Sequence, residues 1–149
     1  MEVTRDLLRG RAEHNEKMLS NLEEISLHQQ NLGTMKYIQD FCKYLRIILL
    51  QNNLVEKIEG CTKLKDLEYL NLAVNSVNKI EGLRRCESLR KLDLTLNFID
   101  FEDLKESLEE LEWIPVISEI YFMGNPCLDY KNAKEYIYAK LPTINSLDG

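Results

Sequence analysis

Aliphatic residues recur along the chain in a nine-residue pattern, with apolar side chains at positions one, four and six and asparagine at position nine. Three central copies are spaced 22 residues apart, and a further copy follows after 28 residues. These four copies read Leu45, Ile48, Leu50, Asn53; Leu67, Leu70, Leu72, Asn75; Leu89, Leu92, Leu94, Asn97; and Ile117, Ile120, Phe122, Asn125. An imperfect first copy, Leu22, Ile25 and Leu27, has Gln30 at the ninth position. Because side chains alternate along a strand, each copy predicts a short strand with one aliphatic side.

Stacking of these copies predicts a leucine-rich repeat solenoid. One short strand cannot bury its aliphatic side alone, so successive coils place their strands in one parallel sheet around a shared core. The predicted fold is α/β, with about five coils, a concave sheet and short convex helices. We expect a single domain, 1–149, with an N-terminal helical cap at 1–21, repeats at 22–129 and a C-terminal cap at 130–149.

The recurrent asparagines have a predicted structural role. Each lies where the chain turns inward after a strand, and an amide there can pair backbone groups of its own and the adjacent coil. We therefore assign Asn53, Asn75, Asn97 and Asn125 to a structural ladder.

Three segments outside the strands carry helical signals. The first is predicted as a helix from Thr4, its N-cap, to Leu19, and the last as a helix over 130–140 that stops before Pro142, with Ile144 and Leu147 folding back. The long insert in the fourth coil, 98–116, spaces Phe101, Leu104, Leu108 and Leu111 as a helix does. Its acidic face is open to two interpretations, a solvated surface or a docking surface.

Charge and composition narrow the function. The chain has 149 residues with 25 acidic and 19 basic side chains, a net charge of −6, which disfavours nucleic-acid and anionic-membrane binding. No apolar run reaches the ~18–20 residues that span a bilayer. The charged first residues are unlike a secretory signal, so we expect an intracellular, cytoplasmic protein.

Neither the cysteines nor the histidines suggest a metal site or a catalytic site. Cys42, Cys61, Cys86 and Cys127 include no C-x-x-C pair, and Cys42 and Cys86 recur at one inward position with Leu64 and Ile114. His28 shares a strand face with Ser26 and Glu24, and alternate strand residues stand side by side rather than converge. We predict no metal, no cofactor and no enzymatic activity.

The candidate binding surface is the concave face, formed by the strand positions between the buried anchors. The central positions of that face carry more apolar side chains than a solvated surface would. The predicted partner-binding residues are Ile47, Leu49, Tyr69, Ala73, Tyr121 and Met123. A cap that covers this patch, or a second copy packed on it, is the alternative.

Several strings go beyond the repeat pattern. They are the opening residues 4–15, the segments 26–30, 50–54, 67–73, 91–98 and 122–127, and the closing Leu141-Pro142 and 147–149. Across essentially the whole chain these resemble the N-terminal leucine-rich repeat domain of the tilB/seahorse family of dynein axonemal assembly factors. In that family a coiled coil and a CS-type co-chaperone domain follow, so we expect this chain to be the N-terminal half of a longer protein.

The resemblance implies a non-enzymatic factor for pre-assembly of axonemal dynein arms in motile cilia or flagella. It also implies chaperones, RuvB-like ATPases, a MYND zinc-finger assembly factor and dynein subunits as partners, with the cytoplasm or the cilium and its base as location. Alternatives of similar repeat type are a regulatory subunit of an enzyme such as a protein phosphatase, a spliceosomal scaffold and an axonemal light chain. The proteins captured from flagellated cells would distinguish these functions.

Overall fold

The computed structural model describes residues 1–12 and 18–149. In these residues six strands form one parallel sheet in chain order. The strands are β1 (Glu24–Ser26), β2 (Ile47–Leu49), β3 (Tyr69–Asn71), β4 (Lys91–Asp93), β5 (Glu119–Tyr121) and β6 (Ser146–Leu147). Their register aligns one buried residue from every strand, which confirms the predicted solenoid. The sixth strand comes from the closing segment that follows the five repeats.

Helices occur in only some of the coils. They are α1 (Arg5–Arg11), α2 (Ile38–Phe41), α3 (Phe101–Glu112) and α4 (Ala133–Lys140). None of them, in the part of the chain that the structure describes, is long and apolar enough to cross a bilayer. The two 22-residue steps, from β2 to β3 and from β3 to β4, are closed on the convex side by turns. Convex helices thus appear where the coil is longer or terminal.

Glycine is required in these tight turns. The string Lys-Ile-Glu-Gly recurs at 57–60 and 79–82, and both glycines adopt left-handed backbone conformations. A Cβ atom on Gly82 would lie 2.9 Å from the carbonyl oxygen of Ile58 in the preceding coil. The recurrence of glycine therefore reflects how closely consecutive coils approach each other.

The insert in the fourth coil forms α3, as its apolar spacing predicts. Asp100 caps the helix by accepting a hydrogen bond from the Phe101 amide, and the apolar stripe that faces inward is buried. Ser107 Oγ accepts a hydrogen bond from the Ile80 amide at 2.9 Å. Glu110 accepts hydrogen bonds from the Leu83 amide and from Arg84 Nε. The helix thereby pairs backbone groups of the preceding coil.

The N-terminal helix is shorter than predicted. Thr4 is the N-cap, with Oγ1 accepting a hydrogen bond from the Leu7 amide at 3.1 Å, but the helix ends at Arg11. Ala12 leaves the helical conformation, and Met18 and Leu19 are not helical. The intervening residues 13–17, including His14, lie outside the described residues. Leu8 is the one residue of α1 that is fully buried, which matches the weak apolar stripe of this segment.

The C-terminal helix also begins later than predicted. A 3₁₀ turn, Pro126–Asp129, comes first, and α4 begins at Ala133 after Asn132, whose φ of 66° is left-handed. This residue interrupts the helix that the sequence places from 130 onward. The helix ends before Pro142, and Ile144 and Leu147 return to the core, as expected. Leu147 lies on β6 and extends the sheet.

The four ladder asparagines are buried and hydrogen bonded in the same manner. Asn75 Oδ1 accepts from the Val55 amide at 2.9 Å, and its Nδ2 donates to the carbonyls of Leu50 and Leu72. Asn53, Asn97 and Asn125 make the equivalent contacts in their own coils. Each amide thus pairs backbone groups of two adjacent coils, which the turn would otherwise leave without partners.

The cysteines belong to the core. All four are free and buried, and Cys86 Sγ lies 3.5 Å from the Cys61 carbonyl oxygen. Burial raises the pKa of the Cys42 and Cys127 thiols to about 11. In residues 1–12 and 18–149, no group of three or more His, Cys, Asp or Glu side chains is arranged to hold a metal ion.

Candidate functional site

The concave face of the sheet places the predicted binding residues on neighbouring strands. The register sets Ile47 of β2 directly beside Tyr69 of β3, and Leu49 beside Asn71. Ile47, Leu49 and Tyr69 are each partly exposed, while the residues between them in sequence are buried. These three side chains form the concave patch.

Lys91 joins the concave patch to Tyr121, a contact that the sequence did not reveal. Its Nζ lies 4.6 Å from the centre of the Tyr69 ring and 5.4 Å from that of Tyr121. The same ammonium group is 3.9 Å from the Glu119 carboxylate. The two tyrosines, two strands apart, therefore share one cation, because a lysine side chain is long enough to reach both neighbouring strands.

Tyr69 is held in place by more than this cation. Its hydroxyl oxygen accepts a hydrogen bond of 3.0 Å from Asn71 Nδ2. Partial burial, the largest effect, raises the pKa of the Tyr69 phenol, so the group is neutral at physiological pH. A positioned aromatic ring loses little rotamer freedom when a partner covers it.

The other two predicted binding residues lie apart from this cluster. Ala73 aligns with Gln51 on one side and Thr95 on the other, so polar side chains surround it. Met123 is exposed at the end of the fifth copy, beyond Tyr121. The six predicted residues therefore form a connected group of four, with Ala73 and Met123 towards the rim of the sheet.

A rim of exposed apolar residues, which the sequence did not reveal, lies where the strands end. Leu54, Val74, Leu96 and Phe98 are 41–61% exposed. Val74 and Leu96 have φ values of 55° and 56°, a conformation that β-branched and bulky residues rarely adopt. All four rim residues directly precede or follow a ladder asparagine in sequence. The apolar character of these flanking positions is the sequence signal that could have revealed the rim.

A groove lies along the opposite edge, where the strands begin. We call it the edge groove; it has a volume of about 570 Å³ and is lined mainly by charged side chains. Arg46 and Glu68 form an ion pair across adjacent coils. The hydrogen bond that Arg46 donates to Glu68, together with the attraction between their opposite charges, raises the pKa of Arg46 and lowers that of Glu68. Glu23, Asp66, Glu87 and Arg90 complete the charged lining.

The expectation for His28 was wrong in its geometry. Ser26 Oγ lies 2.7 Å from His28 Nδ1, so these side chains do meet. The reason is that β1 ends at Ser26 and His28 lies in the following turn, where the strict alternation of a strand no longer applies. Arg11 of α1 reaches the same place, with Nε donating to the Ser26 carbonyl oxygen at 2.8 Å. This contact anchors α1 to the first strand.

Relatives with assigned names match the chain from end to end. It is 52% identical over 153 residues to "Dynein axonemal assembly factor 11" of Danio rerio and 53% identical over 146 residues to "Protein tilB" of Drosophila melanogaster. A Trypanosoma brucei brucei protein of the former name is 46% identical over 147 residues. These matches cover 98–100% of the chain. The chain has the leucine-rich repeat domain of the dynein axonemal assembly factor 11/tilB family.

This tilB-family domain spans about a third of the length of the relatives that it matches, 33%, 36% and 38% respectively. No protein-family profile matches the chain. The predicted resemblance to the repeat domain of the tilB family is thus confirmed by individual relatives at about half identity.

Solved structures confirm the fold of the tilB-family domain. A chain of the "Drosophila melanogaster SNF/U2A' complex" superposes with a TM-score of 0.84 at 23% identity, covering 99% of this chain and 83% of that chain. An internalin of Listeria monocytogenes gives 0.68 at 19% identity, covering 86% of this chain and 35% of that one. At these identities the likeness concerns the solenoid alone.

Proposed function

We propose that this domain is a non-enzymatic protein-binding module of a cytoplasmic factor that assembles axonemal dynein arms for cilia or flagella. The names of its relatives support the assembly role. The observation that carries the binding role is the concave patch, Ile47, Leu49 and Tyr69, with Tyr121 attached through Lys91.

The side chains of the concave patch and Tyr121 are of the kinds that bind a protein partner. Protein interfaces are enriched in aromatic side chains, and their energy is concentrated in a few central residues that exclude water. Tyr69 combines a large apolar area with a hydroxyl group already paired to Asn71. Partner binding can therefore bury the ring while the Tyr69 hydroxyl oxygen keeps a hydrogen-bond donor.

Affinity capture from ciliated cells tests the proposal. The parent chain and the double variant Leu49→Ser, Tyr69→Ser are used as bait, and the captured proteins are identified by mass spectrometry. We expect dynein heavy chains and chaperones with the parent chain and at least a tenfold loss of both with the variant. Tyr138→Ser, which removes an exposed tyrosine from α4, is the matched control.

Other results would overturn the proposal. Equal capture by the parent chain and the concave variant would show that the concave patch is not the interface. Capture of phosphatase catalytic subunits in place of dynein and chaperones would indicate the alternative function of an enzyme regulator. Turnover that survives purification and is lost when His28 is replaced would contradict the non-enzymatic assignment.

A further inference from the structure

We propose that the concave patch and the edge groove form one surface that binds a basic, amphipathic segment of a protein partner. Apolar side chains of that segment cover Ile47, Leu49 and Tyr69, and a lysine or arginine side chain enters the groove. The inference rests on the proposed function and adds the chemistry of the partner to it.

The two parts of this surface are continuous. Arg46, Glu68 and Arg90 line the edge groove, and each immediately precedes a residue of the concave face: Ile47, Tyr69 and Lys91, respectively. The same three coils therefore supply both parts. A segment that lies across the strands over the concave patch reaches the groove within one or two residues of its own length.

The cations of the groove are partly neutralised from within. Arg46 is paired with Glu68, and the carboxylates of Glu23 and Asp66 also raise the pKa of Arg46. Among the described residues, Glu23, Asp66 and Glu87 form no ion pair with a lysine or an arginine. The lining contains the carboxylates of Glu23, Asp66, Glu68 and Glu87 and the guanidinium groups of Arg46 and Arg90, of which Arg90 also forms no ion pair within the described part of the chain. Negative charge therefore exceeds positive charge in the groove, which favours a cation from outside.

The concave face has the same sign of charge. Lys91 is occupied by the Tyr69 and Tyr121 rings and by Glu119. Glu24 and Asp93 lie on the same face of the sheet, on β1 and β4. Complementary charge accelerates encounter and selects between partners, so this surface favours a cationic segment over an acidic one.

The charged lining of the groove, rather than its size, favours a charged side chain over an apolar ligand. Small-molecule sites of ~300–1,000 Å³ are mostly apolar. The edge groove falls within that range of volume but is lined mainly by charged residues. Its carboxylates outnumber its two guanidinium groups and repel phosphate groups, which disfavours a nucleic-acid backbone as the occupant. A lysine or arginine anchored by apolar neighbours fits both halves of the surface.

Peptide display tests this inference without knowledge of the natural partner. A library of random peptides is selected on the parent chain, and the enriched peptides are sequenced and titrated by fluorescence anisotropy. We expect enrichment of lysine and arginine beside aliphatic or aromatic residues. Raising the salt from about 50 to 500 mM should weaken binding, since it screens exposed charges.

Two isosteric double variants locate the charge. Glu23→Gln with Asp66→Asn removes two carboxylates from the groove, and we expect at least tenfold weaker binding and a flatter dependence on salt. Glu102→Gln with Glu106→Gln removes two exposed carboxylates from α3, which carries the acidic face of the insert. This control changes the net charge equally and should leave binding unchanged.

The outcomes separate the partner chemistry from the proposed function. Peptides without cation enrichment, or peptides indifferent to the groove variant, overturn the basic partner. If such peptides still lose binding to Leu49→Ser, Tyr69→Ser, the concave interface stands. A selection that yields no peptide sensitive to the concave variant counts against both.

Discussion

The inward and outward sides of the six strands differ in how much the residue type varies from coil to coil. The inward row is Ile25, Ile48, Leu70, Leu92, Ile120 and Leu147, all aliphatic and buried. The outward row beside it is Glu24, Ile47, Tyr69, Lys91, Glu119 and Ser146, which share no property. The inward row must fill one continuous volume, whereas the outward row meets solvent or a partner and is free to differ between coils.

The largest expected effect is in the inward row. Leu70→Ala, at a fully buried position, should lower the free energy of unfolding by about 2–5 kcal/mol through the cavity that it leaves. Leu49→Ser with Tyr69→Ser should change it by only about 1 kcal/mol, because both side chains are partly exposed. Urea denaturation followed by circular dichroism measures both values. A larger loss in the concave variant than in Leu70→Ala would reverse the assignment of the two faces.

A second contrast uses two asparagines four residues apart. Asn75→Ala removes an amide that pairs three buried backbone groups, so we expect a loss of about 1–3 kcal/mol in the free energy of unfolding. Asn71→Ala, on the concave face, removes contacts with the Ala73 amide and the Tyr69 hydroxyl, both partly exposed to water. Its loss should be smaller, since water can replace these contacts. An unchanged midpoint for Asn75→Ala would contradict the ladder.

The inward side could be predicted from the sequence because one rule governs it. An aliphatic residue recurs at a fixed interval, and that interval alone sets the register of Ile48, Leu70 and Leu92. Asn53, Asn75 and Asn97 follow from the same interval, as do Cys42 and Cys86, whereas Asn125 comes after a longer step. The helix α3 was predictable for a similar reason, since its apolar spacing covers three turns.

For the outward side, the sequence predicts which residues lie on the concave face but not the contacts between their side chains. The sequence identifies Tyr69, Lys91 and Tyr121 as concave residues, but not that one ammonium group lies over both rings. That contact depends on side-chain length and direction across two strand spacings. Ends of elements were missed for a different reason. Ala12, Asn132 and His28 lie where the backbone leaves the regular geometry, and local conformation there depends on the packing of the caps.

In the rim, Val74 offers a contrast between side-chain burial and backbone conformation within one residue. Val74 has a φ of 55° and is 41% exposed, so its side chain contributes little burial in return for an unfavourable backbone conformation. Val74→Asn should raise the free energy of unfolding by about 1 kcal/mol, because asparagine tolerates the left-handed region. Thermal denaturation measures it, with Val77→Asn, at a fully buried position, as the destabilising control. A destabilised Val74→Asn would show that the exposed side chain packs against its neighbours.

The smallest expected effect concerns the exposed pair of Arg46 and Glu68 at the edge groove. The hydrogen bond from Arg46 holds the pKa of Glu68 below its ordinary value, so the folded state binds this proton less readily than the unfolded chain. The contribution of the pair is therefore fully present above the ordinary glutamate pKa of about 4.3 and is lost as the pH falls through the lower folded value. Melting temperatures of the parent chain and of Glu68→Gln should differ slightly at neutral pH and converge on acidification. Glu106→Gln, at an exposed position in the middle of α3, is the control and should show no such convergence. A difference that grows as the pH falls would contradict the pairing, because a protonated carboxyl group no longer attracts the guanidinium ion.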